Sequence, residues 1–321
     1  MATGTPSAPE VGGTPVYALT ATEVLRLGQR LPSSPQVFNR ISRLSSDPNS
    51  NLPEIARLVK LDAALALRVL QLSNGAYYGF SEPCGTLDEA INRLGFREIH
   101  RLVGVVASQH LFSGDLALHR VSGRLVWENS VACALAMEWL TAQQDGDEAA
   151  AYAIGLLRPI WLVVLDRLLI ERPTLSCFYP GEDTEPKVHR WERRMFGLSA
   201  AEAAAILMEH WQFPAHMVEA MRHHLDPIHT PELPAESCLL NFAGGVAASL
   251  GAGLPGESDC WQLDPLKFER AGLSPAALEE CAAHTRHEWK RVRSAVAEKP
   301  AHAGASKTGA GAHGAPRGTA G

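Results

Sequence analysis

The stretch IARLVKLDAALALRVLQLSNGAYYG, residues 55–79, decides the fold class. Ile55, Leu58 and Val59 recur on one helical face, Asp62 supplies a cap for AALALRVLQLSN, and Asn74 with Gly75 ends that helix at a turn. Upstream, Val37, Ile41 and Leu44 repeat the helical spacing until Asp47-Pro48 breaks it. Downstream, Thr86 and Glu89 form a capping box for DEAINRL, which stops at Gly95, and Arg97 to Phe112 follows as a helix with Ile99, Leu102, Val103, Val106 and Leu111 on its apolar face. Strand alternation is nowhere sustained, so an all-α class is expected.

From Val121 the predicted helices lengthen. One runs through LVWENSVACALAMEWLTAQ and another through EAAAYAIGLLRPIWLVVLDRLL, separated by the turn Asp145-Gly146-Asp147. After the loop SCFYPGEDTEPK, Ser199 and Glu202 make a second capping box for a helix ending near Trp211. Pro214 opens the next helix and Pro227 stops it; PAESCLLNFAGGVAASLG and PAALEECAAHTRHEWKRVRSAVA supply the last two.

The 321 residues, 46% hydrophobic and 20% charged, suit one large or two modest globular domains. Residues 1–17 and 298–321 are poor in large apolar side chains and read as disordered tails around a helical domain, 18–297. That domain divides into an N-terminal lobe, about 18–120, and a C-terminal lobe, about 121–297. No signal peptide is recognisable at the start, and the most apolar run, GLLRPIWLVVLDRLLI, is interrupted by Arg158, Asp166 and Arg167. The expected location is cytoplasmic, with no membrane contact. Six scattered cysteines without a CxxC pair fit reduced, structural thiols.

Lys+Arg 29 against Asp+Glu 35 gives a net charge of -6, which opposes nucleic-acid binding. The one concentrated basic run, HEWKRVRS, reads as a solvated face. Thirteen histidines raise the question of a metal. His210, His223, His224, Asp226 and His229 are the densest candidate ligands, with helix capping and hydrogen bonding as the structural reading. Adjacent His223 and His224 point about 100° apart on a regular helix, which hinders their sharing one ion. His284 and His287 share a helix face, but Arg286, Lys290, Arg291 and Arg293 crowd it. P-loop, nucleophile-elbow and HExxH patterns are absent. Asn74, Tyr77 and Arg158 are candidate ligand or partner contacts, although Asn74 and Tyr77 sit where a turn alone would explain them.

The order of motifs resembles the HDOD family, a branch of the HD superfamily of metal-dependent phosphohydrolases. The resemblance is carried by Leu31-Pro32 with Pro35, residues 55–79, LDEAINRLGFREIHRLV at 87–103, the Trp127 helix, AIGLL at 153–157, FGLS at 196–199 and AMRHHLDP at 220–227. It implies a two-lobed helical bundle, with an HDOD-type N-terminal lobe and an HD-like C-terminal lobe. In catalytic relatives, as the resemblance implies, histidines and aspartates hold one or two metals that activate water against phosphorus. The corresponding positions here are Asn129, Arg158-Pro159, Ala200 and Gly244, and only His223 and His224 remain of the implied ligands. Proline, alanine and glycine lack side-chain donors, and a guanidinium opposes a divalent cation. The expectation is therefore a non-catalytic signal-transduction module with no metal and no cofactor, binding a partner protein or a small regulatory ligand. The alternative is a divergent metal-dependent phosphohydrolase rearranged around His223, His224 and Asp226.

Overall fold

The computed structural model describes residues 15–31, 56–57, 59–60, 63–75, 78–79, 81–172, 177–230 and 234–297. The expected helix at Val37–Leu44, the Asp47-Pro48 break, the Asp62 cap, Tyr77 and the tail from 298 onward lie outside the described residues. The helices are α1 (Ala21–Gly28), α2 (Ala63–Ser73), α3 (Leu87–Leu94), α4 (Phe96–Leu111), α5 (Gly123–Ala142), α6 (Glu148–Leu157), α7 (Ile160–Glu171) and α8 (Val188–Phe196). They continue with α9 (Ala200–His210), α10 (Ala215–His223), α11 (Ala235–Ala247), α12 (Pro265–Ala271) and α13 (Pro275–Ala297). Among the described residues the only β pairing is one isolated bridge between Leu116 and Val121.

Helix starts follow from side-chain oxygens. Ser199 Oγ accepts from Glu202 N while Glu202 accepts from Ser199 N, the reciprocal box expected from the sequence. At Thr86 only half of that box forms: Glu89 N donates to Thr86 Oγ1, but the Glu89 carboxylate accepts from Gly85 N instead. Gly95, at φ 77°, ends α3 and starts α4. The single helix expected across GLLRPIW is two. Pro159 has no N–H to donate and its ring opposes continuation, so α6 stops at Leu157 and α7 begins at Ile160. That break turns Arg158 inward.

One hydrophobic core runs from Leu19 to Trp289 through both expected lobes. Helix α1, assigned by sequence to the first lobe, packs on α7 and α9. The chain before it is held as well, with Val16 N donating to Arg194 O and Tyr17 N to Met195 O, so residues 15–17 are not tail. Buried Glu138 on α5 accepts from Arg101 Nε at 2.8 Å and Arg97 Nε at 3.0 Å, tying α4 to α5. Helix α13 is not the solvated element expected from HEWKRVRS. Cys281, Thr285 and Trp289 are buried along it, Trp289 meets Trp127 at 5.4 Å, and Arg291 pairs with Glu288. No described helix is long and apolar enough to cross a membrane.

Helices α5 and α6 cross tightly because Gly155 has no side chain; a Cβ there would lie 2.6 Å from Ala134 Cα and 2.7 Å from Cys133 O. Gly155→Ala gains about 1 kcal/mol of helix propensity but must push two backbones apart, at about 1–3 kcal/mol. The clash should win, and thermal unfolding of the variant should show a lower midpoint than the parent.

Candidate functional site

Arg158, placed by the α6–α7 break, is the centre of the site. Its side chain is 1% exposed, and its fork meets Glu257 in two parallel bonds, Nη1 to Oε1 at 3.0 Å and Nη2 to Oε2 at 2.8 Å. Nη2 also donates to Asn129 Oδ1 at 2.8 Å, and Nη1 lies 3.4 Å from His224 Nε2. The guanidinium carbon lies 5.3 Å from the Trp261 ring centre. Burial opposes the charge, but the Glu257 carboxylate and its neighbours more than offset this and hold the guanidinium above its ordinary range.

Each partner is itself fixed. Asn129, buried on α5, donates Nδ2–H to Ala252 O at 2.7 Å. His224 follows the last residue of α10, and its Nδ1–H donates to Met221 O at 2.7 Å, leaving the Nε2 lone pair for Arg158. Burial, then the Arg158 charge, lower its pKa to about 3, so it is a neutral imidazole. Asn241 on α11 donates to His224 O at 2.7 Å and to Cys260 O at 3.0 Å, and accepts from buried Lys267 Nζ at 2.8 Å. Glu257 rides on a loop anchored by Gly256 N donating to Glu182 at 2.6 Å and by Val188 N donating to Gly256 O at 2.9 Å. Gly256 has φ 78°, and a Cβ there would meet Val188 Cβ at 2.6 Å, so only glycine fits this turn.

The sequence-derived positions separate into two groups. Asn129, Arg158 and His224 meet through their side chains. Pro159 and Ala200 line the same small cavity, and Ala200 contributes its backbone N–H to Glu192 at 2.6 Å. Gly244, read as a close helix–helix contact, instead gives room to an indole: a Cβ there would lie 2.5 Å from Trp261. His223 turns outward to Glu219 at 3.3 Å, and Asp226 pairs with His229 at 2.6 Å on the surface. His223, His224 and Asp226 therefore face three different partners. Asn74 closes a local turn, accepting from Cys84 N at 2.7 Å and donating to Cys84 O at 3.0 Å, while Tyr78 donates to Glu98 at 2.6 Å.

Glu257, Trp261 and the buried pair His119–Glu192 (3.0 Å) escaped the sequence reading. The cavity bounded by His119, Arg158, Trp161, Glu192, His224 and Glu257 is about 20 Å³, the space of roughly one water molecule. Among the described residues no group of three or more His, Cys, Asp or Glu is placed to hold a metal. A larger hollow, about 450 Å³, opens elsewhere between α4, α5 and α13, where Arg124 and Arg293 share the single carboxylate of Glu128.

A family model for the HDOD domain matches residues 31–227. Among solved structures, an HDOD domain protein of unknown function from Geobacter sulfurreducens is similar at 20% identity and TM-score 0.61, over 87% of this chain and 99% of that one. A protein from Marinobacter aquaeolei, provisionally described as a signal transduction protein, is similar at 18% identity and TM-score 0.66, over 85% of this chain and 64% of that one. One from Shewanella amazonensis, provisionally described as a phosphohydrolase, is similar at 20% identity and TM-score 0.56, over 84% and 97%. An uncharacterized protein of Treponema pallidum is 27% identical over 206 residues, 63% of this chain; the chain spans 39% of that relative's length. These structural likenesses establish the fold.

Glu257→Gln should cost about 3–5 kcal/mol in chemical denaturation, because it strands a buried guanidinium. Acid should act through the buried histidines. His100 and His189 are lowered to about 4 and His224 to about 3, each chiefly by burial. The unfolded chain binds protons that the folded one refuses between the ordinary histidine pKa and these values. Stability contributed by the neutral rings is thus full above about pH 6.5 and falls as pH drops toward 3–4. Unfolding measured across that window should show a shallower acid slope in His224→Gln than in the parent.

Proposed function

Since the chain belongs to the HDOD domain family, we propose that it is a non-catalytic regulatory module that acts by binding a partner. One observation carries this reading: a guanidinium, clamped by a carboxylate, stands at the centre where a hydrolase of this superfamily would hold its cation. The donor set does not fit a divalent metal. Arg158 brings a fixed positive charge, His224 has both ring nitrogens engaged, and Ala200 and Gly244 offer no ligand atom. A cavity of about 20 Å³ also leaves no room for a phosphoester beside the ion pair. The rearranged hydrolase around His223, His224 and Asp226 is disfavoured by their divergent directions.

Binding is then the property left to the scaffold. The two exposed guanidiniums over Glu128, beside Trp127, support the 450 Å³ hollow as the place for an acidic partner group or a small anionic ligand. The net charge of -6, with Arg291 and Arg293 of α13 tied to Glu288 and Glu128, supports a partner other than nucleic acid. A cytoplasmic, bacterial signalling role is part of the same proposal.

The test joins metal analysis to activity. Protein purified and supplied with manganese or iron should contain no stoichiometric metal and should not turn over cyclic nucleotides or model phosphodiesters. Stoichiometric metal with turnover abolished in His224→Ala would overturn the reading. Affinity capture from the native lysate, repeated with Arg124→Glu/Arg293→Glu, should lose the bound partner while the unfolding midpoint stays unchanged.

A further inference from the structure

Three buried polar atoms around the small central cavity have no protein partner among the described residues: Arg158 Nε, Trp161 Nε1 and His119 Nδ1. Their residues are 4%, 0% and 2% exposed, and all three line the same space of about 20 Å³. Buried polar groups in folded proteins are almost always paired, and a cavity needs about 10–15 Å³ and two to four polar partners to hold a water. The chemistry of the three atoms specifies the occupant further. Arg158 Nε and Trp161 Nε1 can only donate. His119 Nε2 lies 3.0 Å from the Glu192 carboxylate, which accepts, so Nε2 carries a ring proton, and Nδ1 is the lone-pair atom of the tautomer this bond selects.

We propose that this cavity is a binding site for one water molecule, which accepts from Arg158 Nε and Trp161 Nε1 and donates to His119 Nδ1. The water joins two buried ion-pair systems, Arg158–Glu257 and His119–Glu192, and so ties the α6–α7 break to α8 and to the turn holding Leu118 and His119. A halide is the rival occupant of that size. It is disfavoured by charge: the carboxylates of Glu192 and Glu257 line the cavity beside Arg158, and His224 is a neutral imidazole. The Glu192–His119–water order is that of a relay that activates a nucleophile, but the cavity admits no second reactant, so the water serves as a joint.

The inference stands on cavity geometry and not on the regulatory reading, and one set of crystals separates the two. In the wild-type chain at about 1.5 Å resolution, a light-atom density peak should lie within hydrogen-bond distance of all three nitrogens. In Trp161→Phe, which keeps the ring and removes one donor, the peak should be lost or displaced and the unfolding midpoint should fall by about 2–4 °C. A cavity without density, or an anomalous peak there after a bromide soak, would sink the water assignment alone. An anomalous peak at the manganese or iron edge would sink the regulatory reading as well. Should Trp161→Phe fail to fold, the wild-type map decides by itself.

Discussion

The bidentate pair between Arg158 and Glu257 is the contact on which the centre of this molecule depends. A buried guanidinium is costly unless its donors are paired, and here two donors meet a carboxylate, one of them also meets an amide oxygen, and an imidazole lone pair lies beside the other. The pair draws together residues far apart in the chain: Asn129 from α5, Arg158 from the α6–α7 break, His224 from the end of α10 and Glu257 from a loop. Each has a second anchor of its own, so the cluster acts as one piece.

A fixed cation made of protein has consequences that a bound metal does not. It cannot leave, it offers no coordination position to water, and it does not depend on the supply of an ion. Trp261 packs against Arg158 where the absence of a side chain at Gly244 admits its ring. The cavity beside this pair is about 20 Å³, and the larger hollow lies apart from it, beside Arg124 and Arg293.

Much of the helical frame was legible because caps and apolar spacing act over a few residues. Ser199 with Glu202, and the α3–α4 stop at Gly95, formed as their local chemistry required. Helix α8 is hard to read from sequence because VHRWERRMF is short and mostly polar, although Val188, Trp191 and Phe196 recur at helical spacing and are buried together on one face. The apolar run over Glu148–Leu169 concealed its break, since neighbouring apolar residues outweighed one proline in the reading. At the site, the resemblance points to Asn129 and Arg158 as positions where an implied ligand is replaced and to His224 as one where it is retained. Glu257 and Trp261 had no such signal, because a loop carries no periodicity and their partner lies 99 residues from Glu257 in sequence.

The sequence by itself determined the all-α class, the family, most helix boundaries and which residue types stand at positions 129, 158, 159, 200 and 244, since these depend on residue identity and short-range spacing. Tertiary structure alone decided what fills the centre. Whether Arg158 would point to solvent, stay unpaired or find a carboxylate depends on which distant loop packs against it, and that is set by the burial of the shared core rather than by any neighbour in the chain.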